Sequence, residues 1–184
     1  LTTGATLFMT TGDGSSEDFK RAMVVTAHPD DAEYGCSGSV AKWCRLGWDV
    51  VYVICTDGSK GSEDREITTE RLAEIRAEEQ INAGKILGLK SVEFLGYPDG
   101  NLEPTLGLRR DITRQIRKWN PDVLITTNPT RDLMGGGYIG HPDHFAAGEA
   151  TLSAVFPSAR DHLTFPKLYT NEGLEPHKVR EVWV

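Results

Sequence analysis

Cysteine is scarce in this chain: Cys36, Cys44 and Cys55 are odd in number and show no C-x-x-C pairing. A disulfide scaffold is thereby excluded, and free buried thiols in a reducing compartment, hence a cytoplasmic location, are expected. Long apolar runs are missing too. The longest, Val50 to Cys55, has 6 residues, against the roughly 18–20 needed to cross a bilayer, so no membrane span is expected. Residues Leu1 to Ser16 lack the basic start of a signal peptide. There is no dense Lys/Arg cluster, and 20 basic against 27 acidic residues give a net charge of −7, which offers no attraction to phosphate backbones and excludes nucleic acid as a partner. Internal repeats and low-complexity tracts are absent.

What is present is 184 residues, 39% of them hydrophobic, enough for one domain with a sizeable core and too few for two. The expected division is a flexible N-terminal tail over 1–20 and a single domain over 21–184. The chain stops inside the strand-like run Val179 to Val184 and reads as truncated at its C-terminus. Ala22 to Ala27 is a short β-rich run halted by His28-Pro29-Asp30-Asp31. Helical spacing follows from about Ser37 to Leu46, with Gly47 suited to a cap. Asp49 to Thr56 is apolar almost throughout, as a strand covered on both faces should be. Thr68 or Thr69 then opens a long amphipathic helix from Glu70 to Leu87, closed by Gly88. Ser91 to Leu95, Leu108 to Trp119, Val123 to Thr127, about Pro142 to Val155, and Glu181 to Val184 continue the alternation. A β-α-β-α-β-α-β-α-β order predicts an α/β fold: a doubly wound, mainly parallel, Rossmann-like sheet with helices on both faces.

In such a sheet ligands bind outside the carboxyl ends of the strands. The loops there are His28 to Asp31, Asp57 to Gly61, Tyr97 to Gly100 and Asn128 to His144. Two of them carry His28-x-x-Asp31 and His141-Pro142-Asp143-His144. Singly, either motif is as easily a turn and a helix cap, since Asp and Pro favour both. Jointly they bring imidazole nitrogens and carboxylates to one rim, the donor set of a divalent metal with a position left open. Pro142 suits the first position of a helix, so His141 and His144 are expected at a helix N-terminus, where the dipole favours anions.

The stretches Thr26-Ala27-His28-Pro29-Asp30-Asp31-Ala32-Glu33, Tyr97-Pro98-Asp99-Gly100 and His141-Pro142-Asp143-His144-Phe145-Ala146-Ala147-Gly148 resemble the LmbE-like, PIG-L type zinc-dependent N-deacetylases. The resemblance runs from about Met23 to Val184. Members of that family remove acetyl groups from N-acetylglucosamine moieties, as in mycothiol and bacillithiol precursors or glycosylphosphatidylinositol. It implies a zinc-dependent hydrolase acting on a small acetylated amino sugar, with Zn²⁺, or Fe²⁺ in its place, on His28, Asp31 and His144. Asp30 would be the general base toward the metal-activated water, and His141 would face the substrate and steady the oxyanion. Asp143 would orient His141. Arg76 and Asp99 match substrate contacts. Their plain alternatives are an Arg76 paired with Glu79 or Gln80, and a turn Asp before Gly. Phe145 departs from the Arg that many relatives carry there.

His162 and His177 lack a neighbouring carboxylate motif and read as surface or packing histidines. Trp43, Trp48, Trp119 and Trp183 read as core, Asp57-Gly58 as a strand-ending turn, and Gly135-Gly136-Gly137 as either a flap over the metal or a plain linker. Two rival functions use the same residues. A non-haem Fe(II) oxygenase shares the two-His-one-carboxylate set but usually sits on a β-sandwich. A noncatalytic nucleotide-binding module shares the alternation but wants a glycine-rich loop after strand one. Homo-oligomerisation is left open.

Overall fold

In a computed structural model the chain is described over residues 19–132 and 139–184. The elements are β1 (Arg21–Thr26), α1 (Asp31–Gly35), α2 (Ser37–Arg45), β2 (Asp49–Thr56), α3 (Thr69–Leu87), β3 (Ser91–Tyr97), α4 (Leu106–Trp119), β4 (Val123–Thr126), α5 (Pro142–Ser153), α6 (Pro166–Thr170) and β5 (Glu181–Trp183). The strands form one sheet in the order β3-β2-β1-β4-β5, every pair parallel. This is the doubly wound fold the alternation predicts. Strand order reverses beside β1, so the crevice of the sheet lies over the ends of β1 and β4.

Period-2 alternation divides the core between the two faces. Met23, Val25, Val51 and Val53 pack against Leu108, Ile112 and Ile116 of α4 and Ala147 of α5. Ala22, Val24, Val50 and Tyr52 pack against Val40 of α2 on the other face. Local chemistry sets the helix ends. Thr68 accepts from the Arg71 N–H and Gly88 closes α3 in the left-handed region, while Thr105 caps α4, which starts at Leu106 rather than Leu108. The four tryptophans lie at the edges of the core rather than at its centre, with Trp43 stacked on Trp48 at 5.0 Å.

Other departures have physical causes. The helix after β1 is two pieces, because Cys36 leaves helical geometry between α1 and α2. α5 ends at Ser153 and widens into a π-helical turn, Ala154–Ser158, which contains Pro157. Arg117 on α4 is 2% exposed and gathers the following loop by donating to the carbonyls of Ser158, Ala159, Asp161 and Thr164. Phe19 corrects the expected 1–20 tail: it is buried and lies beneath the Arg180 guanidinium, while the Lys20 N–H donates to Asp122. Residues 1–18 and the Gly135-Gly136-Gly137 segment lie outside the described residues. No helix among the described residues is long and apolar enough to cross a membrane.

Gly148 lets α5 lie directly against the end of β4, since a Cβ there would run into the Thr127 carbonyl oxygen. Gly148→Ala is therefore expected to destabilise the fold by about 1–3 kcal/mol, read as a lowered thermal midpoint; an unchanged midpoint would contradict that packing. His177 is the packing histidine expected, donating from Nε2 to the Pro121 carbonyl at 2.7 Å. Burial, aided by the charges of Arg21 and Arg180, lowers its pKa below 6.5. The unfolded chain thus takes up a proton that the folded chain refuses, so stability falls as pH drops below 6.5 and levels off below the folded value. Urea midpoints at pH 7.5 and 5.5 should show a larger acid loss for the natural chain than for His177→Gln, and equal losses would remove His177 from the account.

Candidate active site

The loop after β1 turns back on itself, with the His28 N–H donating to Asp31 Oδ2 at 2.9 Å. The turn is made by Asp30, whose φ of 89° and ψ of −22° lie in the left-handed region, a conformation Asp tolerates better than most side chains. α3 grips this turn. Gln80 Oε1 accepts the Asp30 N–H at 2.9 Å, and Arg76 Nη2 donates to the Pro29 carbonyl at 2.8 Å and to Asp30 Oδ2 at 2.6 Å. Arg76 also forms the expected pair with Glu79, at 2.9 Å. Gln80, which the sequence offers only as a candidate partner of Arg76, is almost wholly buried; the signal for that is a polar residue one helical turn after Arg76 on a core-facing stripe.

α5 supplies the second wall. His141 is its N-cap, its Nδ1 accepting the Asp143 N–H at 3.2 Å, so a neutral His141 carries its proton on Nε2. Asp143 points inward and is 1% exposed. Its carboxylate lies 3.9 Å from His141 Nδ1, beyond hydrogen-bonding distance. The group of Asp143 that contacts His141 is its backbone amide, not the carboxylate expected to orient it. The carboxylate accepts instead from the Gly100 N–H at 2.7 Å, the Leu102 N–H at 3.2 Å and His28 Nε2 at 3.2 Å.

The loops after β2 and β3 lock together. Asp57 accepts from the Ser59 and Asp99 amides, so the strand-ending turn read there is formed. Asp99 Oδ2 accepts the Lys60 N–H at 3.0 Å, and its Oδ1 stands 3.2 Å from His28 Nε2. His28 Nε2 therefore faces two carboxylates and is a donor, which leaves the Nδ1 lone pair free. That lone pair is 3.3 Å from His144 Nε2 and 3.7 Å from Asp31 Oδ2, while His144 Nε2 is 3.1 Å from Asp31 Oδ1.

Two sets of ligand atoms lie within 4.8 Å of one another: His28, Asp31 and His144, and His28, His141 and Asp143. In the second set Asp143 already accepts the Gly100 and Leu102 amides and faces His28 Nε2, and His141 Nδ1 accepts the Asp143 amide. The nitrogens of two imidazoles and a carboxylate converging on one point would fit a divalent cation in place of the proton that His144 Nε2 shares with Asp31, with Asp143 and Asp99 setting the His28 tautomer from behind. Burial alone would raise the Asp31 pKa, but hydrogen bonds from His144 and the His28 amide, and the charges of both imidazoles, hold it below the usual range. The bond to Asp31 raises the His144 pKa against the opposing effect of burial.

A cavity opens on each side of this cluster. One, of about 520 Å³, is lined by His28, Asp30, Lys60, Arg76, Asp99 and His141 among others, so every expected base and substrate contact lies on one wall system. The other, of about 650 Å³, reaches Asp31 and His144 from the β4–β5 side. Phe145 borders it and carries the Arg131 guanidinium 4.3 Å over its ring, so a cation accompanies the aromatic side chain after all. Cys36, Cys44 and Cys55 are free, and burial pushes the Cys36 thiol up to about 11.

Residues 23–155 match the family model described as PIG-L, GlcNAc-PI de-N-acetylase. The chain is 34% identical over 165 residues to the diacetylchitobiose deacetylase of Thermococcus kodakarensis, covering 90% of this chain and 59% of that one. The N,N'-diacetylchitobiose deacetylase of Pyrococcus horikoshii, solved with its inhibitor MPG, superposes with a TM-score of 0.80 at 30% identity, over 88% of this chain and 58% of that one. The 4-carboxy-2-hydroxymuconate hydratase GalB of Pseudomonas putida shares the fold, with a TM-score of 0.74 at 23% identity over 89% of this chain and 64% of that one. The chain thus spans about three fifths of the length of these relatives. With its sheet, its two histidine-aspartate motifs and these matches in agreement, the chain belongs to the PIG-L family.

Proposed function

We propose that this protein is a metal-dependent N-deacetylase of an N-acetylglucosamine-type sugar or conjugate. The observation that carries the reading is the convergence of His28, Asp31 and His144 beside Asp30 and His141, at the rim of a polar cavity. The relatives named above as deacetylases support it. His28, Asp31 and His144 would hold the metal, and their mixed nitrogen and oxygen donors suit zinc, with ferrous iron the alternative. A metal bound there supplies a Lewis acid for the amide carbonyl and an activated water.

The chain's own groups supply the rest. Asp30, half exposed and aimed by Arg76, accepts the proton of the attacking water. His141, its proton on Nε2, faces the substrate and donates to the developing oxyanion. Collapse of the tetrahedral carbon breaks the C–N bond as Asp30 or His141 passes a proton to the leaving nitrogen, and the second proton of the water leaves the new carboxyl group, so that an ammonium and a carboxylate are released. Asp143 and Asp99 hold His28, and with so little exposed surface Asp143 acts through that histidine rather than on the substrate. Arg76, on the wall of the polar cavity, suits sugar hydroxyls, while Asp99, buried with Oδ2 on the Lys60 amide and Oδ1 toward His28, is better placed to position that histidine than to meet the sugar. Free thiols accord with a cytoplasmic setting. Neither rival function gains support: the sheet is not a β-sandwich, and the loop after β1 has no glycines for a phosphate.

Asp30→Asn is expected to keep the metal and lose about 10²–10⁴ in turnover, followed as glucosamine released from N-acetylglucosamine conjugates. Near-normal turnover would dismiss Asp30 as the base. His144→Ala should lose the metal itself, measured as metal per chain by mass spectrometry on protein purified without chelators; full retention would move the ligand set elsewhere.

A further inference from the structure

The reaction outlined above leaves one buried polar side chain beside the base without a part in it. Gln80 is 2% exposed and is not among the residues that wall the polar cavity, so it does not touch a sugar held there. Its amide is nevertheless engaged at both ends. Oε1 accepts the Asp30 N–H at 2.9 Å, and Nε2 donates to Glu33 Oε1 at 2.9 Å. A backbone amide only donates and a carboxylate only accepts, so these two partners admit one orientation of the Gln80 side chain.

The Pro29–Asp30 peptide is thereby held at both of its polar atoms from one helix. Arg76 and Gln80 are four residues apart and adjacent on the surface of α3. Arg76 Nη2 donates to the Pro29 carbonyl at 2.8 Å, while Gln80 takes the Asp30 N–H. Gly58 packs on the same turn, since a Cβ there would come within 2.9 Å of the Pro29 ring. After Asp30 the chain is fixed by α1, where the Glu33 and Tyr34 amides donate to the Asp30 carbonyl. Turning the Pro29–Asp30 peptide plane over would carry the Asp30 φ from 89° into the ordinary negative region, and would break both bonds from α3. A strained conformer of this kind persists only where its surroundings over-determine it.

We propose that Gln80 is a positioning residue for Asp30: with its amide fixed by Glu33, it keeps the Pro29–Asp30 peptide from turning over and so holds the Asp30 carboxylate toward the site. This inference rests on the N-deacetylase reading above, in which Asp30 receives the proton of the attacking water. Arg76 borders the polar cavity as well as the base, so its removal disturbs sugar binding too. Gln80 acts on the base alone.

Gln80→Met keeps the length of the side chain and removes both hydrogen bonds. Release of glucosamine from N-acetylglucosamine conjugates should then lose about 10- to 100-fold in kcat, as small misplacements of a reacting group do, with KM within about twofold and metal per chain unchanged. Hydrogen exchange of the Asp30 amide, followed by NMR without metal or substrate, should quicken by at least about tenfold. Gln80→Glu keeps the acceptor but sets a second carboxylate against Glu33, and should also be slow. Combining it with Glu33→Gln restores a donor and an acceptor to the pair, and should return kcat to within about threefold of the natural chain. Unchanged kcat in Gln80→Met, a loss that follows metal content, a change confined to KM, or unaltered exchange of the Asp30 amide overturns the proposal. So does a double variant no faster than Gln80→Glu, and that comparison stands by itself if Gln80→Met folds poorly. No release by the natural metal-loaded chain would overturn the deacetylase reading, and the assignment with it. Release undiminished in Gln80→Met would overturn the assignment alone.

Discussion

A carboxylate with 1% of its surface exposed must find its partners inside the protein, and that of Asp143 draws them from two other loops. It accepts the Gly100 and Leu102 amides from the loop after β3, and His28 Nε2 from the loop after β1, while its own backbone starts α5. Leaving such a group unpaired would be costly. Three segments distant in sequence are therefore held in one mutual position, and the outward nitrogen of His28 is fixed as the one toward His144 and Asp31. The order of the cluster follows from satisfying this buried charge.

The same logic extends outward with decreasing burial. Asp99 shares His28 Nε2 and ties down Lys60; Asp57 ties down Asp99. On the other side Gln80 and Arg76 of α3 hold the left-handed turn at Asp30. Asp30 and His141, proposed to act on the amide, are the more exposed members, Arg76 beside them is part-exposed, and Gln80, Asp99 and Asp143 are covered. Such a gradient lets a reacting group meet water and ligand without losing its geometry.

Much of this was legible in the sequence. The sheet could be read because strands covered on both faces are apolar throughout, as from Val50 to Cys55, and because Thr68, Gly88 and Pro142 punctuate the helices in the manner their chemistry requires. The HPDD and HPDH motifs located the rim. What could not be read is how neighbours divide their hydrogen bonds. Nothing in the spacing says that the Asp143 carboxylate turns to His28 rather than His141, that Gln80 reaches across to a backbone amide, or that Arg117 leaves the polar stripe of α4 to become a buried cross-link. Those are choices between partners of similar strength, made by three-dimensional packing. Phe19 belongs here too, since a lone aromatic residue ahead of β1 carries no periodic signal.

The turn at Asp30 places two demands on one position. Its backbone geometry is comfortable for glycine, asparagine and aspartate and strained for nearly every other side chain. The proposed role of proton acceptor calls for a carboxylate, which admits only aspartate and glutamate. The two sets share a single amino acid, so the position is specified twice over, and glutamate, chemically the nearest substitute, would meet the reaction's need while working against the fold that presents it.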